Sequence, residues 1–173
     1  YPGHDGGAIH AVTTQPISKT DSSVTGNRSV ANGGAIYISG TDSATIADSN
    51  FLNHRKEGNS AHSGGAIYMD AGVTLNLNAT KGAMTFSGNT AAGRSNAIYI
   101  GSARDDGTAA FLNINTAAGA VMDMQDALAS KTESHDITIT KTGAGLWKLG
   151  NQSTFETSAK TNIININEGT LYL

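Results

Sequence analysis

The pentapeptide Gly33-Gly34-Ala35-Ile36-Tyr37 returns unchanged at Gly64-Gly65-Ala66-Ile67-Tyr68. It returns with one change at Gly6-Gly7-Ala8-Ile9-His10 and with two at Ser95-Asn96-Ala97-Ile98-Tyr99. The copies begin at residues 6, 33, 64 and 95, so the steps are 27, 31 and 31. A near-constant step of about 20 to 50 residues marks a stacked-repeat architecture, in which each unit buries its apolar face only against its neighbours.

The content of the unit says what is stacked. Ala35 to Ile38, Val73 to Asn78, Ile98 to Ile100, Leu112 to Asn115, Ile137 to Thr140, Ile164 to Asn167 and Leu171 to Leu173 alternate apolar with polar or aromatic residues. Period-two alternation over short runs predicts half-buried strands. Gly, Asn, Asp and Ser bound each run and supply turns. No stretch of a dozen residues has a helical period. The nearest, Val121 to Ala129, reads as a strand holding Met122 and Met124, followed by a short loop. Gly, Ala, Thr, Ser and Asn make up more than half of the 173 residues. Such small residues suit thin coils packed closely. A sandwich requires no repeated motif, and a propeller blade runs longer, at about 40 residues or more. The expectation is therefore an all-β chain folded as a parallel β-solenoid, with one continuous core.

The paired glycines open the strand of each coil. Glycine reaches positive φ without cost, and its missing side chain admits the neighbouring coil. Ala and Ile then face the core, and Tyr faces the other way. In register, Tyr37, Tyr68 and Tyr99 form a ladder with His10 at its first rung. Such a ladder either stacks to stabilise the sheet or offers an exposed aromatic binding strip. These three tyrosines are the candidate binding residues.

A second echo lies upstream. Val24-Thr25-Gly26-Asn27 and Phe86-Ser87-Gly88-Asn89 each precede a pentapeptide copy by nine residues. The middle version, Phe51-Leu52-Asn53, reads as interrupted by an inserted charged segment, His54-Arg55-Lys56-Glu57, before Gly58-Asn59. Residues 53 to 59 and 101 to 108 are expected to be loops carried on the scaffold.

The pairing of Gly-Gly-Ala-Ile with a Phe-x-x-Asn tetrad resembles bacterial autotransporter (type V secreted) passenger domains, above all the polymorphic-membrane-protein, self-associating adhesin type. Gly33 to Ile36, Gly64 to Ile67 and Phe86 to Asn89 match fully. Val24 to Asn27 has Val in place of Phe, and the fourth pentapeptide has lost both glycines. Lys141-Thr142-Gly143-Ala144-Gly145-Leu146-Trp147-Lys148-Leu149 looks like the passenger-associated repeat, KxGxGxWxL. Ile164 to Leu173 looks like its closing strand-turn-strand. The resemblance spans nearly the whole chain, with pentapeptide-type coils over 1–130 and passenger-associated coils over 131–173 of a single segment. It implies a right-handed single-stranded parallel β-helix at the bacterial cell surface, tethered to the outer membrane or released, acting in adhesion, biofilm or virulence. The implied partner is a host-cell receptor or glycan, or another copy of the chain. Membrane attachment would run through a C-terminal β-barrel that this sequence does not contain. The chain reads as an excised piece of a longer passenger, without a signal peptide or a run of about 18 apolar residues.

Other classes find less support. Cysteine is absent, which fits passengers by resemblance and names no compartment by itself. Net charge is -3 and no basic run exceeds Arg55-Lys56, so no nucleic-acid face is expected. A β-helical polysaccharide lyase or hydrolase, the alternative reading, needs paired carboxylates about 5 to 10 Å apart. Asp105-Asp106 reads as a solvated loop tip, and Asp123 and Asp126 lie in an expected loop. His4, His10, His54, His62 and His135 show no zinc-protease spacing. His4-Asp5 and His135-Asp136 offer too few ligands for a metal. Lys141-Thr142-Gly143 imitates the KTG strand of penicillin-binding enzymes, yet no Ser-x-x-Lys accompanies it, and Ser158-Ala159-Lys160 is one residue short. No catalytic residue, metal or cofactor is expected. Carboxylates converging in one groove would favour the enzyme; an acid-free polar strip would favour adhesion.

Overall fold

The computed structural model describes residues 6–13, 17–40, 43–57, 64–101, 108–132, 136–150, 153–157 and 162–173. Every described element is a strand, and apart from one short antiparallel hairpin the strands stack in parallel as a β-solenoid.

Three six-stranded sheets make its walls. The first joins Ile9–Thr13, Ile36–Gly40, Ile67–Met69, Ile98–Ile100, Leu128–Thr132 and Thr154–Thr157. The second joins Ile17–Thr20, Ser43–Ala47, Thr74–Ala79, Ala110–Thr116, Ile137–Thr142 and Asn162–Ile166. The third joins Ser23–Thr25, Asn50–Leu52, Ala83–Ser87, Val121–Met124, Leu146–Leu149 and Thr170–Tyr172. A fourth, shorter sheet holds Arg28–Ser29, Arg55–Lys56, Thr90–Ala91 and Arg94–Ser95. The three long sheets run without a break from the pentapeptide coils into residues 131–173.

The core is a set of side-chain ladders inside these walls. Ile36, Ile67, Ile98 and Leu128 stand in register on the first sheet. Leu75, Leu112 and Ile139 do so on the second. Val24, Phe51, Phe86, Met124 and Leu149 follow on the third, where the Phe51 and Phe86 rings stack at 5.0 Å. Trp147 is fully buried between Met122 and Leu171. Identical or similar side chains one coil apart lie about 4.8 Å away, the spacing of paired strands. The repeat therefore fills the core with like on like.

The glycine pair works by close approach. A Cβ at Gly34 would fall on the carbonyl oxygen of Gly65, and one at Gly65 on that of Asn96. Gly6 and Gly33 also need positive φ, at 71° and 70°. In the fourth copy Ser95 and Asn96 replace the pair, and their side chains make the joins instead. Asn96 Oδ1 accepts the Gly65 N–H at 3.3 Å, and Ser95 Oγ accepts the Ala127 N–H at 3.2 Å.

Two expectations change. His54 to Glu57 is not an insertion: Arg55 and Lys56 pair in register with Arg28 and Ser29 on one side and Thr90 and Ala91 on the other. Charged residues fit here because a short corner strand has one solvated face, which Arg55 takes. Asp123 is not in a loop; it sits in Val121–Met124, and a further strand, Leu128–Thr132, follows. Gly58-Asn59, the 102–107 part of the second expected loop, His4, Asp5, His62, Asp105-Asp106, His135 and Ser158 to Lys160 lie outside the described residues.

Candidate functional site

The tyrosine ladder is in register, with Tyr37 on Tyr68 and Tyr68 on Tyr99. The ring pairs stack at 5.2 and 5.9 Å, and His10 meets Tyr37 edge-on at 5.0 Å. The three tyrosines form a small cluster of their own with Ala129, apart from the main core. They are not exposed: 8%, 4% and 3% of their surface reaches solvent. The faces that a binding strip would present are consumed in stacking, because parallel in-register strands place like rings directly over one another.

A polar ladder runs up the corner between the third and fourth sheets. Asn89, fully buried, gives Nδ2–H to the Phe51 carbonyl at 2.9 Å, and its Oδ1 accepts the His54 N–H at 3.0 Å. His54 repeats the pattern one coil earlier. Its Nδ1 accepts the Asn27 N–H at 3.0 Å, and Nε2 lies 2.9 Å from the Val24 carbonyl. Asp126 closes the series, taking the N–H groups of Gly88 and Asn89 at 3.1 and 2.9 Å and the Asn89 amide at 2.7 Å. Burial pushes the His54 pKa below its ordinary value. An Nδ1 already used as an acceptor has no room for a second proton. These residues satisfy buried backbone groups, and both Asp126 oxygens accept hydrogen bonds in doing so.

The outer face of the second sheet differs. Ser18, Thr45, Asn76, Asn113, Thr140 and Asn165 lie in one register line. Beside them run Asn78, Asn115 and Thr142. The Asn113 amide donates to Asn76 Oδ1 at 2.9 Å. Apart from Ala47, Phe111 and Ile163, the outward residues of these strands are Ser, Thr and Asn, and none is ionisable.

The fourth sheet gathers charge. Arg28 and Arg55 are exposed and lie in register on adjacent strands, and exposed Arg94 stands on the last strand. Arg28 is ion-paired to Glu57. Thr90–Ala91 and Arg94–Ser95 form an antiparallel hairpin, the one such pairing among the described residues. Its two-residue turn, Ala92-Gly93, has positive φ at both positions, 49° and 73°, as a type I′ turn demands. Against the hairpin opens a concavity of about 640 Å³ lined by Arg55, Lys56, Glu57, Gly88, Thr90, Ala92 and Gly93. Lys56 is buried, which pushes its pKa down. Sequence reading missed this corner because its arginines, Arg28, Arg55 and Arg94, follow one another at steps of 27 and 39 residues. The signal was there: adding the 27-residue step to Arg28 lands on Arg55.

Lys141, the first residue of the KTGAG stretch, points inward. It is fully buried, and its Nζ donates to the carbonyls of Thr142, Gly143 and Glu168 at 2.8, 2.6 and 3.1 Å. Among the described residues no three His, Cys, Asp or Glu side chains gather as metal ligands.

Fold and surfaces together define a parallel β-solenoid built from glycine-opened coils, with a charge-free polar wall and a basic corner. Comparison with known proteins adds kinship. Residues 21–39, which hold Val24 to Asn27 and Gly33 to Ile36, match the Chlamydia polymorphic membrane protein repeat. The chain is 37% identical over 112 residues to the probable outer membrane protein pmp8 of Chlamydia pneumoniae, covering 61% of this chain and 12% of that protein. It is 30% identical over 107 residues to the probable outer membrane protein pmp1 of the same organism, covering 62% and 11%. The matched region thus spans about an eighth or less of these relatives' lengths. No solved structure matches.

Proposed function

We propose that the chain is a surface-exposed segment of an autotransporter passenger and acts in adhesion, without catalysis. The observation that carries this reading is the charge-free wall of the second sheet. An unbroken line of Ser, Thr and Asn side chains repeats at the spacing of the coils. Each hydroxyl or amide makes a weak contact, and a second surface with the same spacing adds many of them at once. Another copy of the chain has that spacing by construction. A host-cell receptor or glycan is the other partner of this kind. The similarity to outer membrane proteins of Chlamydia pneumoniae supports a place at the bacterial surface.

The test is bacterial settling. The full passenger is displayed on a host that does not aggregate, and the display is repeated with residues 1–173 deleted. Loss of settling, or of attachment to cultured host cells, on deletion is the expected result. Equal settling and equal attachment without the segment would overturn the reading. Asn76→Asp with Asn113→Asp, which puts two charges on the wall, is expected to weaken the adhesion at least fivefold.

A further inference from the structure

The basic corner does something the polar wall does not. Arg28 and Arg55 are held in register on neighbouring strands. Like charges so placed repel. Glu57 answers only one of them, by pairing with Arg28. Arg55 and Arg94 make no ion pair among the described residues. A chain of net charge -3 thus places four cations, Arg28, Arg55, Lys56 and Arg94, on one short corner sheet, with the carboxylates of Glu57 and the buried Asp126 beside it.

This concentration coincides with the one departure from the parallel coil among the described residues. The hairpin of Thr90–Ala91 and Arg94–Ser95 walls a concavity large enough for a small ligand. Ala92 holds a left-handed backbone that costs a non-glycine residue about 1 to 2 kcal/mol. The type I′ turn imposes that conformation and sets Ala92 and Gly93 against the concavity. Gly88 and Gly93 line the same space without side chains, so a ligand can approach the backbone there. Guanidinium groups match carboxylate and sulfate with paired hydrogen bonds, while Glu57 and Thr90 offer acceptors and a hydroxyl suited to sugar hydroxyls.

We propose that this corner binds an acidic glycan through its carboxylate or sulfate groups, with Arg55 as the principal contact and Lys56, Thr90 and Arg94 around it. The proposal deepens the adhesive reading by naming a ligand class, and it rests on the chain being displayed at a surface.

The experiment titrates the purified 173-residue chain with heparin, with polygalacturonate and with neutral dextran, from 50 to 500 mM NaCl. Binding to at least one acidic polysaccharide that weakens with salt, and none to dextran, is expected. Arg55→Gln should weaken it at least tenfold, and Arg94→Gln threefold or more. Lys148→Gln, the same charge change on the third sheet, should leave it within twofold. Far-ultraviolet circular dichroism keeps unfolding from posing as lost binding. No binding to either acidic polymer, equal affinity for dextran, or indifference to Arg55→Gln would overturn the site. So would a preference for phosphatidylserine vesicles or duplex DNA over both polysaccharides. Settling that depends on residues 1–173 but persists with Arg55→Gln, alongside unchanged polysaccharide binding, refutes the site and leaves the adhesive reading standing.

Discussion

His54 reaches across to the preceding coil and accepts the backbone N–H of Asn27 through Nδ1, at 3.0 Å. With Nδ1 so used, the proton belongs on Nε2, which faces the Val24 carbonyl. The ring is neutral in the folded chain, and burial lowers its pKa. The pH dependence follows from the sign of that shift. An unfolded histidine titrates near about pH 6.5. Below that pH the unfolded chain takes a proton that native His54 refuses. Stability therefore falls as pH drops from about 6.5 toward the lowered native value, by up to about 1.4 kcal/mol per pH unit. Urea midpoints at pH 7.5 and 5.5 measure it. His54→Asn, which can copy the bonds of Asn89, should shrink the difference between the two pH values; a variant that loses as much stability as the parent would show that other groups govern the acid limb.

The glycine pair leads to a contrast between two substitutions. Gly65→Ala drives a methyl group into the Asn96 carbonyl of the next coil, a backbone contact that cannot yield without separating the coils. A loss of more than about 3 kcal/mol is expected. Gly26 also has positive φ, at 66°, but a Cβ there meets open space. Gly26→Ala should cost only the backbone strain, about 1 to 2 kcal/mol. Chemical denaturation of both variants separates the two causes, and equal losses would rule out close approach as the reason for the second glycine.

The fold was legible in the sequence because its physics is periodic. The recurrence of Gly-Gly-Ala-Ile-Tyr at steps of 27 and 31 residues set Ile36 over Ile67 and Tyr37 over Tyr68, and the strands pair in that register. The fifth and sixth rungs, Leu128–Thr132 and Thr154–Thr157, went unseen. Leu128-Ala129-Ser130 keeps the apolar alternation and drops the glycines, so the letters change while the geometry stays. The basic corner was hidden for a different reason. Sequence reading looks for charge runs, whereas a solenoid builds patches from residues one coil apart. His54 to Glu57 has the polarity of a loop, and its partners, Asn27, Arg28 and Thr90, are not adjacent to it in the chain. The tyrosine ladder was foreseen as geometry, but its burial depends on what packs over that face, which alternation alone does not specify.

Lys141 ties the last coils together through three carbonyls. Lys141→Met keeps the stem buried and removes the donor, leaving the oxygens of Thr142, Gly143 and Glu168 without it. Hydrogen bonds from a charged donor contribute about 1.5 to 3 kcal/mol, and a loss of that size is expected in urea denaturation. It should be local. The Asn167 N–H bonds to the Lys141 carbonyl and the Thr170 N–H to the Gly145 carbonyl, so both amides should exchange with deuterium at least tenfold faster, while those of Ala66 and Ile67 keep their rates. Unchanged exchange at 167 and 170 would mean the ammonium is a passenger in the core.

Tyr68 and Gly101 fit each other. A Cβ on Gly101 would collide with the hydroxyl end of the Tyr68 ring, so the phenol lies directly against that stretch of backbone. The ring is also stacked on both sides, by Tyr37 and Tyr99. Gly101→Ala must push a ring that has no free direction, and a destabilisation of about 2 to 3 kcal/mol is expected, in the range of overpacked cores. Tyr68→Leu removes the obstructing end of the ring and costs about 2 to 4 kcal/mol through lost stacking and burial. In the Tyr68→Leu background the Gly101 substitution has nothing left to strike and should cost less than about 1 kcal/mol. The resulting coupling of about 1.5 kcal/mol or more, read from a double-mutant cycle by urea denaturation, would establish the ladder as packed structure. Additive losses would mean that the ring swings away at little cost, and Tyr37, Tyr68 and Tyr99 would return as a surface able to open toward a ligand.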